Sequence, residues 1–264
     1  MERIDAINVL NDVSGAVHLL EGPNRIREFL RQVLRFQPVP LHSIARSTSL
    51  TVPVASALRR ELEKRKLVAR KGGIVLTEYG NSLLASVGVT KTQIPRLQSG
   101  YPFPSWLNPV VEKLDALLSS RPTPDFSLDQ SHAETLTIAM RVAYLYEHDG
   151  VEGKELLFLG DDDLTSLATI IFAKEFGLQL GTVAVVDVDK RILAFIEESC
   201  NYLGCDIETF SLDLREGIPG RFQPININFG LFPLNGIRIR DKKTRNQNII
   251  DRAFSAQRQC CLLY

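Results

Sequence analysis

Apolar residues recur at helical spacing through the first third of the chain. In NRIREFLRQVLRF they occupy positions 26, 29, 30, 33 and 34, which is one stripe of a helix. In TVPVASALRRELEKRKLV, Val54, Leu58 and Leu62 share one face, and we expect Thr51 to cap this helix ahead of Pro53. VPLHSIARSTSL, between the two, predicts a short helix with a turn. The pattern therefore predicts a helix followed by a helix–turn–helix.

Two short strand-like runs follow around Gly72–Gly73 in VARKGGIVLTEYG. A glycine pair between such runs predicts a β-hairpin, and LTEYGNSLLASVG predicts a closing helix. Helices followed by a hairpin with a basic tip resemble the winged-helix DNA-binding domains. We therefore predict a winged-helix-like domain over residues 1–92. A proline-rich linker follows over residues 93–127, with one short helix from Pro109 to Ser119.

Strand-like and helix-like segments alternate in the second half of the chain. SHAETLTIAMRVAYLYEHDG predicts a helix, and three apolar strands are predicted in VEGKELLFLG, GTVAVVDVD and CDIETFSLDL, with a helix after each of the first two. This alternation predicts the first half of a doubly wound parallel sheet. We therefore predict an α/β chain in which residues 128–220 form a Rossmann-like, methyltransferase-type domain, incomplete at its C-terminus, before an atypical tail over residues 221–264.

Charge is distributed unevenly, although the formal net charge is zero. Residues 21–91 carry 13 lysines and arginines against 5 acidic residues, and residues 101–220 carry 8 against 21. Residues 221–264 return to 8 against 2. This asymmetry indicates separate domains with different partners, since an acidic surface concentrates cations and a basic one concentrates polyanions.

The composition is that of a soluble globular protein, 44% hydrophobic and 23% charged. No apolar run approaches the roughly 20 residues that span a bilayer, and the charged first residues lack a signal-peptide pattern. Four cysteines without a CxxC pair predict a reducing cytoplasm. We expect no metal site, because no clustered histidines accompany the cysteines.

Acidic residues stand at the end of each predicted strand of the second half. Asp161 follows the first strand, Asp187 and Asp189 end the second, and Asp213 ends the third. Ligands of doubly wound sheets bind at these carboxyl ends, where a carboxylate accepts hydrogen bonds from ribose hydroxyls. We assign this ribose role to Asp187. The alternative, a helix cap, accounts for Asp189 better than for Asp187.

Three successive aspartates, Asp161–Asp163, follow Gly160, where nucleotide folds usually present glycines to an anionic ligand. S-adenosylmethionine carries a carboxylate, which an aspartate about 4 Å away would repel by up to ~4 kcal/mol at an effective dielectric near ~20. Its decarboxylated form carries positive charge alone. The sequence GDDD therefore favours this donor of aminopropyl groups and a polycationic acceptor. The alternative is that the aspartates cap the following helix, although one would suffice.

Three segments resemble a known family: GDDDLTSLA (160–168), LDQSHAET (128–135) and VVDVDKRIL (185–193). They resemble the N4-bis(aminopropyl)spermidine synthases, the branched-chain polyamine synthases. The resemblance implies transfer of aminopropyl groups from decarboxylated S-adenosylmethionine, a co-substrate with no further cofactor, to the secondary amine of spermidine. It also implies a winged-helix-like N-terminal domain and a thermophilic source.

The site residues are assigned from this resemblance and from the chemistry. Attack on the carbon beside a sulfonium needs a neutral amine, and coupled aspartates supply a base of raised pKa. We assign Asp161 as the base or acceptor-orienting carboxylate, and Asp162 and Asp163 as ligands of ammonium groups. The donor is expected at Gly160, Asp187, Asp189 and Asp213, and the acceptor at Asp129, Gln130 and Glu134. The alternative for these last three is capping and packing of the helix that begins near Glu134.

After Gly220 the resemblance stops. The family continues into a strand that ends in an Asp-Pro-Pro type loop, whereas this chain continues with an arginine- and amide-rich sequence to Tyr264. We interpret residues 221–264 as the result of a shifted reading frame or a truncation. This tail is expected either to be poorly ordered or to supply an improvised edge strand from Pro224 to Phe229. One wall of the pocket is then expected to be missing and the activity impaired.

Two other functions fit the same patterns. One is an S-adenosylmethionine-dependent methyltransferase, and the other is a DNA-binding regulator whose acidic domain senses polyamines. For the regulator, phosphate contacts are expected from Arg59, Arg60, Lys64, Arg65, Lys66, Arg70 and Lys71, whose alternative role is a solvated helix face. We favour a cytoplasmic aminopropyltransferase that acts on a small polyamine, forms a homodimer and has no membrane partner.

Overall fold

The computed structural model describes residues 2–20, 22–92, 94–95, 97, 103–213 and 228–229. The chain divides into two compact units, Met1–Pro95 with Gly177–Gln179 and Arg96–Phe176 with Leu180–Tyr264. The fold is mixed α/β. None of the helices in the described ranges is long and apolar enough to cross a membrane.

The first unit consists of helices around a short hairpin. In chain order its described elements are α1 (Arg3–Ala16), α2 (Pro23–Phe36), α3 (Leu41–Ser47), α4 (Val52–Lys64), β1 (Val68–Arg70), β2 (Ile74–Leu76) and α5 (Glu78–Ser86). β1 and β2 pair antiparallel, with Val68 opposite Leu76, so the predicted hairpin is confirmed. Thr51 stands at the N-cap position of α4, but its side chain makes no capping hydrogen bond.

Helix α1 was not predicted, because its buried stripe is thin. Its buried apolar residues are Ala6, Leu10 and Val13, whereas Ile4 and Ile7 are exposed. Apolar residues on both sides of a helix weaken the 3.6-residue signal in the sequence.

A close backbone approach explains one glycine of α5. Thr77 caps this helix by accepting a hydrogen bond from the Gly80 N–H at 3.0 Å. A Cβ atom on Gly80 would lie 2.1 Å from the carbonyl oxygen of Leu67, the residue before β1. Any larger residue would force the backbone to move, so glycine seats α5 against the start of the hairpin.

The second unit contains a parallel sheet and its connecting helices. Its described elements are α6 (Asn108–Leu118), α7 (Thr135–Glu147), β3 (Leu156–Leu159), α8 (Thr165–Glu175), β4 (Val183–Asp187), α9 (Lys190–Leu203), β5 (Glu208–Ser211) and β6 (Asn228–Phe229). The strand order is β5-β4-β3-β6, and every pairing is parallel. The predicted alternation of three strands and two helices is confirmed.

Strand β6 lies at the edge of the sheet beside β3. Leu156 lies opposite Asn228, and Leu157 lies opposite Phe229. The predicted edge strand from Pro224 to Phe229 is therefore confirmed for its last two residues. The rest of that strand, and the tail for which we inferred a shifted frame, lie outside the described residues.

The central strands are buried along their whole length. A parallel strand covered on both faces has a continuous apolar sequence, as β3 and β4 do. Leu157, Leu159, Ala184 and Val186 form one apolar cluster between these strands. Helix α8 packs against α6, α7 and α9. The carboxyl ends of β3 and β4 are therefore held side by side.

Candidate functional site

The loops after β3 and β4 meet at the carboxyl edge of the sheet. Leu159 lies opposite Val186, and the Gly160 N–H donates to the Val186 carbonyl at 2.8 Å. Gly160 has a φ of 68°, a left-handed conformation that glycine adopts without steric cost. It turns the chain from the strand into three aspartates. We call residues 160–164 the aspartate loop.

Asp161 is fully buried at the N-terminus of α8. Its Oδ1 accepts the Thr165 N–H at 2.8 Å, and its Oδ2 accepts the Ser166 N–H at 3.2 Å. Burial raises its pKa, hydrogen bonds from Ser166 oppose that shift, and the nearby Asp187 adds to it. These are the contacts of a helix cap, the alternative to the proton-accepting role assigned from the sequence.

Asp163 is also buried, and it is paired with a cation. Its Oδ1 accepts the Ala133 N–H at 2.6 Å, and its Oδ2 forms an ion pair with Nη1 of Arg141 in α7. The Asp163 side chain is only 3% exposed and that of Arg141 23% exposed. The charge of Asp163 is therefore compensated within the protein.

Asp162 is the most accessible of the three aspartates. It is half-buried, and its Oδ2 accepts the Ser131 N–H at 3.1 Å. Burial raises its pKa, and the neighbouring Asp163 raises it further. Among the described residues, no ion pair within 4.0 Å includes Asp162. The aspartate loop thus presents one carboxylate to solvent rather than three.

Asp187 links the two loops. Its Oδ2 accepts the Asp161 N–H and its Oδ1 accepts the Asp189 N–H, both at 2.8 Å. The residue is 7% exposed. Each carboxylate oxygen has a second lone pair, so these two bonds leave acceptor capacity for the ribose hydroxyls assigned to Asp187 from the sequence.

Asp189 caps α9, which confirms the capping interpretation for this residue. Its Oδ1 accepts the Arg191 N–H at 2.9 Å, and its Oδ2 accepts from Arg191 Nη2 at 2.6 Å and from Gln130 Nε2 at 3.0 Å. The Arg191 hydrogen bonds are the main reason that the pKa of Asp189 is lowered to about 2, and the Gln130 amide adds to them against the effect of burial.

The segment assigned to the acceptor, residues 128–134, lies against both loops; we call it the acceptor segment. Gln130 is buried and reaches Asp189. Asp129 and Glu134 are exposed, and Glu134 occupies the N-cap position of α7 without a capping side-chain bond. Asp213 is half-buried, two residues beyond β5. The site therefore brings together Gln130, the aspartate loop, Asp187 and Asp189, with Asp129 and Glu134 on the surface beside them.

Two further polar side chains stand near the aspartates and were not predicted. Burial lowers the pKa of Arg121, while Asp163 and Asp162 counteract that shift. Burial also lowers the pKa of His132, and Arg121 lowers it further. Nη1 of Arg121 and Nε2 of His132 are buried and make no hydrogen bond with the described part of the chain. The acidic edge is therefore less negative than its sequence indicates.

The sequence did not predict the cationic partners of the aspartates. Arg141 is the sole charged residue within the apolar run TLTIAMRVAYLY of α7. A lone arginine on such a helix signals a buried acidic partner, since an unpaired charge is rarely buried. Arg191, two residues after its partner Asp189, gave a weaker local signal. In the described ranges, no group of three or more His, Cys, Asp or Glu side chains could hold a metal ion.

Four of the seven basic residues assigned to phosphate contacts form ion pairs with Glu61 or Glu63 of their own unit: Arg59, Lys64, Arg65 and Arg70. Arg59 pairs with Glu63 at 2.5 Å, and Arg65 pairs with Glu61 at 2.8 Å. Arg70 in β1 lies 3.4 Å from Glu63. These contacts fit the solvated, self-compensated surface that was the alternative to nucleic-acid binding.

A region of the second unit is similar to a known protein family. Residues 109–232 match the profile of the branched-chain polyamine synthase A C-terminal domain. The match begins at the second residue of α6 and includes the acceptor segment, the aspartate loop and the loop after β4. The site described above therefore lies within the matched region.

Curated relatives extend the similarity beyond this region. An uncharacterized protein of Methanocaldococcus jannaschii is 33% identical over 219 residues, which cover 80% of this chain and 54% of that protein. The N(4)-bis(aminopropyl)spermidine synthase of the same organism is 29% identical over 178 residues, 65% of this chain and 49% of that enzyme. The chain thus spans about half the length of these curated relatives.

A solved structure is also similar at low identity. It is the branched-chain polyamine synthase of Thermus thermophilus in complex with N4-aminopropylspermidine and 5′-methylthioadenosine. The two chains are 25% identical with a TM-score of 0.39, over 84% of this chain and 61% of that one.

Proposed function

Because residues 109–232 match the profile of the branched-chain polyamine synthase A C-terminal domain, we propose that the chain is a member of this family and an aminopropyltransferase. Its donor is decarboxylated S-adenosylmethionine, and its acceptor is the secondary amine of spermidine. One observation carries the proposal: the carboxyl edge of a parallel sheet presents a single accessible carboxylate, Asp162, which forms no ion pair with the described residues and lies between two aspartates engaged by the protein.

The reaction needs one proton acceptor at this edge. The amine nitrogen attacks the carbon beside the sulfonium, a nitrogen–carbon bond forms, and the carbon–sulfur bond breaks to release 5′-methylthioadenosine. The amine must lose its proton to be nucleophilic. Asp162 suits this step, because a carboxylate of raised pKa accepts a proton more readily. In this proposal the base is Asp162 rather than Asp161, whose oxygens accept backbone hydrogen bonds.

Electrostatics supports a donor without a carboxylate. Asp162 and Asp187 add negative charge beside the Gly160 turn, and Arg141 already compensates Asp163. An anionic group at this position would be repelled by these carboxylates at short range, whereas a sulfonium and a protonated primary amine would be attracted. This preference separates an aminopropyltransferase from a methyltransferase, which must accept the intact amino-acid end of its donor.

The remaining assignments follow from where the residues stand. Asp187 and Asp189, with Gly160 and Asp213, line the donor side at the ends of β3, β4 and β5. Exposed Asp129 and Glu134 lie on the acceptor side, where a polyamine ammonium group can reach them. Asp163 holds the acceptor segment in place through the Ala133 N–H.

The finer fold assignment is part of the same proposal. The order of α2, α3 and α4 followed by the β1–β2 hairpin supports a winged-helix domain. The parallel order β5-β4-β3 supports a Rossmann-like domain of the methyltransferase type. We propose that the enzyme acts on free polyamine as a homodimer, without a metal or a further cofactor.

The test is incubation of the protein with spermidine and decarboxylated S-adenosylmethionine, read by mass spectrometry. We expect products that gain one or two aminopropyl units, and near-complete loss for Asp162→Asn. The matched control is Asp115→Asn, an exposed aspartate of α6, which is expected to leave turnover unchanged. Equal turnover by Asp162→Asn and wild type would exclude Asp162 as the base, and methyl transfer from S-adenosylmethionine would favour the methyltransferase instead.

A further inference from the structure

The Gln130 side chain spans two parts of the site. Its Oε1 accepts the Asp125 N–H at 2.7 Å, and its Nε2 donates to Asp189 Oδ2 at 3.0 Å. The residue is 6% exposed. Both ends of the amide are therefore engaged by the protein, which leaves Gln130 poorly suited to the substrate-binding role assigned from the sequence.

The neighbours of Gln130 contact the other loop. The Ser131 N–H donates to Asp162, and the Ala133 N–H donates to Asp163. A stretch of four residues thus contacts the aspartate loop through its backbone and the loop after β4 through the Gln130 side chain. The acceptor segment is fixed at both loops together rather than at either alone.

We propose that Gln130 is a positioning residue that sets the acceptor segment, and with it Asp162, relative to the donor-binding loop after β4. The inference rests on the proposed function, since it takes Asp162 as the acceptor-side base and the Asp187–Asp189 loop as the donor side. Gln130 itself does not contact either substrate. Its effect on transfer comes from geometry, because a misplacement of about 1 Å between reacting groups costs up to ~100-fold in rate.

The two partners explain why an amide is needed. The Asp125 N–H can only donate, and ionised Asp189 can only accept. The low pKa of Asp189, about 2, keeps it an acceptor throughout the neutral range. A glutamine offers both an acceptor and a donor at the ends of one planar group. A glutamate of the same shape still accepts the Asp125 N–H, but its second oxygen faces the Asp189 carboxylate and cannot donate to it when ionised.

The charged groups around this contact are few. Arg191 pairs with Asp189 and lies 3.8 Å from Asp125, and Asp187 accepts the Asp189 N–H. An added carboxylate at position 130 therefore lies near three acids, Asp125, Asp187 and Asp189, and one arginine. Two adjacent carboxyl groups share one proton more tightly than either alone holds it. Below the raised pKa of the pair, one carboxyl is protonated and can donate a hydrogen bond to the other.

The experiment compares the wild type, Gln130→Glu, Gln130→Met and the swap variant Gln130→Glu with Asp189→Asn. kcat/KM for aminopropyl transfer is measured from about pH 5.5 to 8.5 and divided by the wild-type value at each pH. We expect Gln130→Glu to lose about 10- to 100-fold at the alkaline end, as for an unsatisfied buried pair, and to recover as pH falls. Gln130→Met is expected to stay low at every pH.

The swap variant reverses the polarity of the bond. The introduced amide at position 189 still caps α9, as asparagine does well, and donates to the introduced carboxylate at position 130. We expect it to restore kcat/KM at pH 8 to within about 5-fold of wild type. Calorimetry with decarboxylated S-adenosylmethionine alone distinguishes a positioning role of Gln130 from a general disruption of the donor site. Gln130→Met is expected to bind the donor within about 3-fold of wild type while kcat falls, since the donor loop keeps its own bonds.

The outcomes distinguish the two proposals. If the wild type makes no aminopropylated product, the proposed function fails and the positioning role fails with it. If the wild type is active and Gln130→Glu matches it at every pH, or the swap variant is no better than Gln130→Glu, only the positioning role fails. Equal losses of donor affinity and kcat in Gln130→Met would reduce Gln130 to a structural residue.

Discussion

Arg141 and Asp163 form an ion pair between α7 and the aspartate loop, with the Asp163 side chain 3% exposed. This pair lowers the number of accessible negative charges that the run of three aspartates contributes. The sequence indicates three negative charges at the sheet edge, whereas one of them is neutralised by an arginine 22 residues earlier. The charge that remains accessible is carried by Asp162.

The first prediction concerns this pair. Arg141→Met should destabilise the protein by about 3–5 kcal/mol, because it leaves the buried Asp163 carboxylate without its ion-pair partner. Arg141→Lys should recover part of that loss, since the charge is retained but the shape of the guanidinium group is not. Urea unfolding at pH 7 measures both free energies.

A matched control is the pair formed by Lys113 and Glu175 between α6 and α8. The Lys113 side chain is 57% exposed, so Lys113→Met should cost less than about 1 kcal/mol. If Arg141→Met proves as mild as this control, Asp163 is not held as a buried ion and the single accessible charge of the loop must be reconsidered.

The second prediction concerns Arg121 and the pH dependence of transfer. If Asp162 is the base, kcat/KM falls at low pH as Asp162 becomes protonated. Arg121 lies close enough to interact with Asp162 and Asp163. Removing a nearby cation destabilises the ionised carboxylate and raises its pKa. In Arg121→Met the acid limb of the pH profile, over which kcat/KM falls with decreasing pH, should therefore move to higher pH by about 0.5–1 unit.

Measuring kcat/KM for spermidine across pH, at spermidine concentrations below KM, tests this shift. Arg65→Met, which removes a surface arginine paired with Glu61 in the first unit, serves as the control and should leave the limb in place. A limb that moves to lower pH in Arg121→Met would contradict the assignment, because no loss of positive charge lowers a carboxyl pKa.

The sequence predicted the positions of the acids better than their surroundings. Asp161, Asp187 and Asp189 follow directly from strand ends, since parallel strands in register bring their carboxyl ends to one edge. Their partners depend on contacts across long stretches of chain. Ser131 and Ala133 donate backbone N–H groups to aspartates about 30 residues later, and a backbone donor leaves no trace in residue type. The ion pair of Arg141 was visible only as a charge within an apolar helix.

The third prediction concerns Asp189 and acid stability. Its pKa is about 2 in the folded protein and near ~3.9 in an unfolded chain. A lowered folded-state pKa contributes stability that is complete above the unfolded value and is lost as pH falls toward the folded value. The full shift corresponds to about 2.5 kcal/mol, which we reduce to about 1 kcal/mol because the Arg191 side chain is 48% exposed.

Asp189→Asn retains the α9 cap but not the charge. The variant should be less stable than wild type at pH 6, and the difference should shrink as pH falls from 4 towards 2.5. Urea unfolding across this range measures the difference, with Asp206→Asn, an exposed aspartate after α9, as the control. If the difference in free energy of unfolding between wild type and Asp189→Asn grows as pH falls, Asp189 does not stabilise the fold through its charge.

The last prediction concerns the basic face of the first unit. Glu61 and Glu63 engage Arg59, Arg65 and Arg70. We expect the wild type to bind duplex DNA weakly at physiological salt, because arginines that are already paired release few counterions. The double variant Glu61→Gln with Glu63→Gln frees these guanidinium groups. It should bind DNA at least ~10-fold more tightly, with a steeper dependence of affinity on salt.

Fluorescence anisotropy with labelled duplexes at several salt concentrations measures both quantities. Glu78→Gln, at the exposed start of α5, changes the net charge by the same kind of substitution without freeing an arginine. It should raise affinity far less than the double variant does. Tight, sequence-selective binding by the wild type would instead favour the regulator over an enzyme whose first unit makes no nucleic-acid contacts.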